Sequence, residues 1–142
     1  MTNPATILLV EDNPDDESLT MNALRMGTNA TVEVARDGQA ALEYLNHAHE
    51  LPRLVLLDLE LPEMDGLKVL RRIRENDRTS LTPVVILTGF NARDDVAAGY
   101  RYGANSYIRK PVDFDRFAEM IQQLALYWLV MNEPPPHAPN HL

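Results

Sequence analysis

The amino-acid sequence predicts an α/β fold in which a doubly wound, five-stranded parallel sheet is flanked by five helices. Short apolar runs alternate with segments of helical periodicity along most of the chain. Three of the runs are continuous rather than alternating, which is typical of parallel strands covered on both faces. Strict alternation of strands and helices favours right-handed crossovers and a helical layer on each side of the sheet.

Five segments are the predicted strands. The segment at 31–35 alternates polar and apolar residues, as an edge strand does, and the run at 106–108 is weaker than the other three. In chain order the segments are 7–10, 31–35, 54–57, 84–87 and 106–108.

Start and stop signals predict the helices between these strands. Asn13 is a predicted N-cap followed by Pro14, with acidic residues in the first turn, and Gly27 ends this first helix. Turns at 37–38 and 65–66 precede the second and third helices, and the fourth runs from about 92 to 101 before Gly103. The fifth helix begins near Asp113 and is the longest.

Composition limits the class of protein. The chain has 142 residues, with 13 Lys and Arg against 21 Asp and Glu, so its formal charge is −8. The absence of cysteine excludes a disulfide framework, a cysteine metal site and a cysteine nucleophile. Net negative charge argues against nucleic acid or an anionic membrane as partner and is compatible with binding a hard cation.

The sequence also predicts the organisation and location of the chain. We expect one globular domain over residues 1–131 and a Pro-rich, extended tail over 132–142. The chain carries neither an apolar run long enough to span a membrane nor a signal peptide, so the expected compartment is the cytoplasm. We also expect no separate effector domain, so a signal would leave through the surface of this domain.

Polar side chains follow four of the predicted strands at the point where each ends. Glu11 and Asp12 follow the first strand and Asp58 the third, while Thr88 and Lys110 follow the fourth and fifth. In a doubly wound sheet, ligands bind outside the carboxyl ends of the strands. Each residue alone is more often a helix cap or turn residue, but their joint placement at one edge indicates a site.

These residue types suit phosphoryl transfer. Neighbouring carboxylates repel one another unless a cation lies among them, and Mg²⁺ prefers such oxygen ligands. An Asp carboxylate is a competent nucleophile toward a phosphoryl group, and an ammonium and a hydroxyl can stabilise the transferring oxygens.

The chain resembles the receiver domain of two-component response regulators, over about residues 5–130, and specifically a stand-alone receiver of the chemotaxis type. The segments that carry the resemblance are 7–14, 54–66, 84–89 and 103–111. It implies a flavodoxin-like sheet of order 2-1-3-4-5. It also implies a phosphoacceptor, not an enzyme with a substrate of its own, that takes its phosphoryl group from a sensor histidine kinase and uses Mg²⁺.

The resemblance assigns roles to the residues at the carboxyl edge, by which we mean the side of the sheet at which the parallel strands end. Asp58 is the phosphoacceptor, and Glu11 and Asp12 form an acidic pair in which Asp12 binds Mg²⁺ directly and Glu11 through water. The backbone carbonyl of Glu60 is the third protein ligand, and Lys110 binds the phosphoryl group.

Further roles follow from the same resemblance. Thr88 and Tyr107 are the switch residues, and the Lys110–Pro111 bond is expected to be cis. The side chains of Glu60 and Phe90 flank the path of the hydrolytic water and tune the lifetime of the phosphoryl group, in a direction that the sequence does not give.

The end of the last helix is apolar on every side. Residues 124–131 are all apolar or aromatic, so only part of this segment can pack on the sheet. The stripe predicted to face the sheet is Phe114, Phe117, Ile121, Leu124, Trp128 and Met131. The surface predicted for a homodimer or a partner is Leu124, Tyr127, Trp128, Val130 and Met131; alternatively, the Pro-rich tail folds back and covers it.

The segment 127–129 and the following prolines are similar to the same region of stand-alone receivers that are paired with phytochrome-type photoreceptor kinases.

Other functions remain open at the level of sequence. A phosphatase with an Asp nucleophile would use an Asp-x-Asp motif, but here the second acid is Glu60. A flavin-binding protein of the same sheet order would need a phosphate loop after the first strand, where this chain is acidic. A third alternative is an interaction module that is never phosphorylated.

Overall fold

The computed structural model describes residues 5–89, 93–111 and 113–136. Its strands are β1 (Thr6–Val10), β2 (Thr31–Ala35), β3 (Leu54–Leu57), β4 (Val84–Thr88) and β5 (Ser106–Arg109). Its helices are α1 (Pro14–Gly27), α2 (Gly38–His47), α3 (Gly66–Glu75), α4 (Arg93–Arg101) and α5 (Phe114–Leu126), and α5 continues into a π-helical segment, the π turn (Tyr127–Met131). None of the helices in these ranges is long and apolar enough to cross a membrane.

The sheet has the expected topology. All neighbouring strands are parallel, and their order is β2-β1-β3-β4-β5. The continuous apolar runs follow from burial on both faces, because successive side chains point to opposite sides. Ile7 and Leu9 pack with α1 and α5, whereas Leu8 and Val10 pack with α2 and α3.

Side-chain caps start four of the helices where the sequence predicts. Asn13 Oδ1 accepts hydrogen bonds from the backbone N–H groups of Asp15 and Asp16, with Pro14 in the first turn of α1. Asp37, Asp65 and Asp113 cap α2, α3 and α5 in the same way. Each cap satisfies N–H groups that the first helical turn leaves without partners. Each of these helices follows the carboxyl end of a strand and therefore begins close to that edge of the sheet.

The C-terminal end of α5 differs from its prediction. Phe117, Ile121 and Leu124 are buried as expected, but Phe114 and Met131 are exposed. The predicted stripe assumed an α-helix throughout. In the π turn, the N–H of Asn132 instead bonds to the carbonyl of Tyr127, five residues back. This changes the phase of the helix, so Met131 leaves the stripe that Leu124 occupies.

The predicted partner surface therefore needs one correction. Leu124 is only 7% exposed and packs in the core between α5 and the sheet, so it cannot contribute to a surface. Trp128 is partly buried against the same core, whereas Tyr127, Val130 and Met131 are exposed. The described part of the tail, which ends at Pro136, leaves Val130 and Met131 at 72% and 68% exposure. The alternative that the tail covers this surface is thus wrong for the residues described.

Candidate functional site

Hydrogen bonds that extend the sheet by one residue place the site. The N–H of Asp58 donates to the carbonyl of Val10 at 3.0 Å, and the N–H of Glu11 donates to Ala35 at 3.0 Å. On the other side, the N–H of Lys110 donates to the carbonyl of Thr88 at 2.8 Å. These residues thus remain in register beyond the regular strands, and their side chains meet at one edge.

Asp58 lies at the centre of this edge and is 5% exposed. Its Oδ1 accepts hydrogen bonds from the hydroxyl of Thr88 at 2.8 Å and from the N–H of Glu60 at 3.0 Å. Its Oδ2 accepts a hydrogen bond from the Lys110 ammonium at 2.7 Å. Both carboxylate oxygens are therefore held by donors, which favours the ionised form that a nucleophile needs.

Lys110 joins three carboxylates. Its Nζ lies 2.6 Å from Oε1 of Glu11, 2.8 Å from Oδ2 of Asp16 and 2.7 Å from Oδ2 of Asp58. Glu11 is 1% exposed, so its negative charge would be costly without a nearby cation or a proton. One ammonium thus contacts all three acidic groups of the cluster, which come from the ends of β1 and β3 and from α1.

Asp16 is a member of this cluster that sequence reasoning missed. Its position in the first turn of α1 was already explained, since acidic residues favour the amino end of a helix. The signal that could have found it is that α1 begins directly at the carboxyl edge of the sheet. Side chains in its first turn therefore reach the same space as those that follow β1.

The buried carboxylates have pKa values that move apart. Burial raises the pKa of Glu11 to about 8, and a hydrogen bond to Asp58 and its negative charge add to this, whereas Lys110 opposes it. Burial also works against ionised Asp58, but hydrogen bonds with Glu11, Lys110 and the Glu60 N–H outweigh it and lower the pKa of Asp58. Burial likewise opposes the charge of Lys110, but hydrogen bonds with the three carboxylates raise its pKa. Near neutral pH, the proton of the pair thus belongs to Glu11 and Asp58 is ionised.

A cavity of about 840 Å³ opens above the cluster. Besides the cluster itself, Asp12, Glu60 and Gly89 line this cavity. Asp12 is exposed and not one of the three carboxylates that converge, while Glu60 is exposed and directs its N–H toward Asp58. The structure therefore brings all the predicted metal ligands to one cavity, but it places Asp16 rather than Asp12 in the tight cluster.

The remaining predicted site residues have different outcomes. Phe90 lies outside the described residues. The Lys110–Pro111 peptide bond is trans, so the expected cis bond is wrong. Tyr107 is half-buried and its ring packs closely against Gly99 of α4. A Cβ added to Gly99 would lie only 3.0 Å from Cδ2 of Tyr107. Burial raises the pKa of Tyr107, with a further contribution from Asp95 and Asp58.

The donor set fits a divalent cation. Oxygen atoms of Glu11, Asp16 and Asp58 lie within 4.8 Å of one another. Carboxylate oxygens are the ligands that Mg²⁺ and Mn²⁺ prefer. The residues of this edge are therefore able to bind such a cation on the side that faces the cavity.

Comparison with known proteins agrees with this arrangement. The family described as the response regulator receiver domain matches residues 7–122. The probable methanogenesis regulatory protein FilR2 of Methanothrix harundinacea is 42% identical over 139 residues, covering 94% of this chain and 89% of FilR2. Response regulator Rcp1 of Synechocystis sp. is 37% identical over 132 residues, covering 89% of this chain and 90% of Rcp1.

Solved structures give the same result. The phosphorylated cyanobacterial phytochrome response regulator RcpA superimposes with a TM-score of 0.89 at 31% identity, covering 94% of this chain and all of RcpA. The Mn²⁺-bound form of Rcp1 superimposes with a TM-score of 0.87 at 35% identity and the same coverage.

Proposed function

Because the chain belongs to the response regulator receiver domain family, we propose that it is a stand-alone response regulator that accepts a phosphoryl group on Asp58. The observation that carries the proposal is the setting of Asp58. Its carboxylate faces the cavity, is held by Thr88, Glu60 and Lys110, and lies beside the acidic groups of Glu11 and Asp16.

The proposed reaction makes and breaks one bond each. A carboxylate oxygen of Asp58 attacks phosphorus, and the bond between phosphorus and the imidazole nitrogen of the donor histidine breaks. Mg²⁺, when bound, would stabilise the negative charge on the oxygens of the phosphoryl group. Lys110 and Thr88 now contact Asp58, and we propose that they turn to the new phosphoryl oxygens, so that movement of Thr88 changes the packing of Tyr107.

The proposed roles at the rim of the cavity follow the same chemistry. Asp12, with Asp58 and the carbonyl of Glu60, would ligate Mg²⁺, and Glu11 would act through water. The side chains of Glu60 and Phe90 would limit the approach of the water that hydrolyses the aspartyl phosphate. The chain would thus be a phosphoacceptor with slow self-dephosphorylation, not an enzyme with a substrate of its own.

The proposed phosphodonor is a sensor histidine kinase, and within that class a phytochrome-type photoreceptor kinase. The support for the narrower class is the likeness to RcpA and Rcp1, since RcpA is described as a phytochrome response regulator. Such kinases draw on ATP, so we place the reaction in the cytoplasm.

We also propose that two copies of the chain associate through the end of α5. The proposed contact is the apolar surface of Tyr127, Val130 and Met131, to which Leu126 and Met26 add. Met26 belongs to the same surface because its sulfur lies 4.0 Å from Nε2 of Gln122, one helical turn before Leu126. Exposed apolar surface of this kind is typical of a protein interface, and a two-fold contact needs only one such patch.

Incubation with Mg²⁺ and acetyl phosphate, followed by a phosphate-affinity gel, tests the central proposal. We expect a long-lived shift that Asp58→Asn removes. The matched control is Asp65→Asn, which changes an exposed carboxylate of the same cavity lining outside the cluster. Continuous turnover of many phosphomonoesters would instead indicate a phosphatase. No modification by either a small donor or a kinase would indicate an interaction module.

Light scattering over a range of concentrations tests the association. Truncation after residue 123 is unsuitable because it would remove Leu124 and Ala125, which are core residues. Val130→Asp leaves the core intact and places charge in the proposed contact. We expect a dimer for the wild type and a monomer for this variant, and a wild type that is monomeric at high concentration contradicts the proposed association.

A further inference from the structure

Arg53 links the end of α5 to the amino edge of the sheet, the side at which the parallel strands begin. It lies directly before β3, and its backbone N–H donates to the carbonyl of Thr6 at 2.8 Å. Its side chain extends to the π turn, where Nη2 donates to the carbonyl of Leu129 at 3.2 Å. Carbonyls in the last turn of a helix lack partners within the helix, and a cation there also interacts favourably with the helix dipole. Arg53 is therefore suited to hold the π turn in place.

The Pro-rich segment 134–136 lies at the same edge. Together with the loops before β3 and β4 it encloses a cavity of about 410 Å³. The other lining residues include Leu51, Pro52, Leu81 and Pro83, and Arg53 is part of the same lining. Consecutive prolines donate no hydrogen bonds and are stiff, so this segment can pack through apolar contact while losing little conformational freedom.

The π turn has two faces with different surroundings. Trp128 and Leu129 pack against the core, while Val130 and Met131 are exposed. An α-helical continuation would return Met131 to the buried stripe, because seven residues make about two turns and so bring it into line with Leu124. The exposure of Met131 thus depends on the π turn being kept in its present phase.

We propose that Arg53 is a positioning residue that, with the segment 134–136, fixes the phase of the π turn and so keeps Val130 and Met131 on the outer surface. The consequence for association rests on the dimer proposed above, whereas the effect on the π turn does not. Arg53 and the segment 134–136 lie at the amino edge of the sheet, opposite to Asp58. Replacing either of them should therefore leave phosphorylation by a small donor unaffected.

Hydrogen exchange in the full-length protein tests the positioning. Arg53→Met keeps an unbranched apolar stem and removes the donors of the side chain, and Arg53→Lys restores a positively charged donor. We expect amide exchange over residues 127–132 to be about tenfold faster in Arg53→Met, since a charged donor's hydrogen bond is lost, and near the wild-type rate in Arg53→Lys. Replacing the three prolines at 134–136 with serine should speed exchange in the same segment. Exchange in β4 should stay unchanged, which separates local opening from global unfolding.

The matched control is Arg36→Met, which removes the same charge at a distance from the π turn. The ion pair between Arg36 and Glu17 is exposed and lies at the carboxyl edge. Trp128 is the one tryptophan of the chain, so its fluorescence gives a second readout of the π turn. Unchanged exchange and unchanged Trp128 emission in Arg53→Met would overturn the proposal.

The oligomeric state separates the two proposals. If the wild type is a dimer, Arg53→Met should raise the dissociation constant of the dimer about tenfold in parallel with the exchange rate. Faster exchange with an unchanged dissociation constant would overturn the role of Arg53 in presenting the surface. A monomeric wild type would contradict the dimer alone, because the exchange measurement still reports on Arg53.

Discussion

At the carboxyl edge of the sheet, ionisable side chains are buried and hydrogen-bonded to one another, whereas at the end of α5 apolar side chains are largely exposed. Glu11 and Asp58 are 1% and 5% exposed, but Val130 and Met131 are 72% and 68% exposed. Buried charge must be balanced locally, because desolvation without a partner is costly. Exposed apolar surface has no such constraint and indicates a contact outside the chain.

The largest expected effect comes from breaking the balance at the carboxyl edge. Lys110→Met leaves the carboxylates of Glu11, Asp16 and Asp58 without the ammonium that joins them. We expect a loss of about 3–5 kcal/mol in the free energy of unfolding in metal-free buffer, as for other buried charges that lose a partner. Urea denaturation measures this, and Mg²⁺ should recover part of the loss.

Lys68→Met is the matched control, because Lys68 is the other lysine of the chain and is exposed on α3. Equal stability losses for the two variants would show that Lys110 does not balance the cluster.

The backbone around Asp58 provides a second, smaller effect. A Cβ on Gly66 would lie 2.6 Å from the carbonyl oxygen of Asp58 and 2.6 Å from the Cα of Leu59, and neither backbone atom can move alone. Gly66→Ala should therefore destabilise the protein by about 3 kcal/mol through overpacking. A Cβ on Gly89 meets nothing within 4 Å, so Gly89→Ala is the control. Thermal unfolding of the two variants should differ clearly, and a Gly66→Ala variant as stable as Gly89→Ala would contradict this close approach.

The raised pKa of Glu11 predicts a pH dependence. Because the folded-state pKa is about 8 and the ordinary value is 4.5, the unfolded chain releases this proton first. Stability should therefore fall as the pH rises from about 5 to 8, with a slope of up to about 1.4 kcal/mol per pH unit in metal-free buffer. The lowered pKa of Asp58 and the raised pKa of Lys110 act outside this window.

Glu11→Gln tests the assignment, since glutamine has a similar shape and does not titrate. Denaturation curves at several pH values should show a flatter profile for the variant. A wild-type slope that persists in Glu11→Gln would mean that another group is responsible.

The smallest expected effect on stability is at the exposed apolar surface. Val130→Asp should change the free energy of unfolding of the monomer by less than about 0.5 kcal/mol, because the side chain is mostly exposed and has little packing to lose. Denaturation at a concentration below the dimer range measures this. Phosphorylation by acetyl phosphate should match the wild type. A large loss of stability would show that Val130 belongs to the core and not to a contact surface.

Sequence reasoning reached most of the carboxyl edge because local patterns determine it. Continuous apolar runs define buried strands, and the residue at or directly after the end of each strand stands at a known place in the fold, as for Asp58, Thr88 and Lys110. Asp16 was missed because its helix position already had a sufficient explanation. The exposure of Asp12 depends on how α1 leaves the sheet, which no local pattern specifies.

The end of α5 was predicted less well because its outcome depends on the phase of the helix. The apolar residues were correctly placed in one segment, but Phe114 and Met131 were wrongly assigned to the buried stripe, and Leu124 was wrongly added to the partner surface. A shift from α-helical to π-helical hydrogen bonding leaves no clear trace in the sequence of apolar residues. The hydrogen bond from Arg53 joins residues 76 apart, so a local reading could not include it.

The most direct test of the central claim is to locate the phosphoryl group after incubation with acetyl phosphate and Mg²⁺. Intact-mass measurement followed by peptide mapping should find one phosphoryl group per chain, on Asp58. This group should be absent when the divalent cation is chelated before acetyl phosphate is added. The Asp65→Asn variant should behave as the wild type. A phosphoryl group on another residue, or equal labelling of the Asp58→Asn variant, would contradict the account.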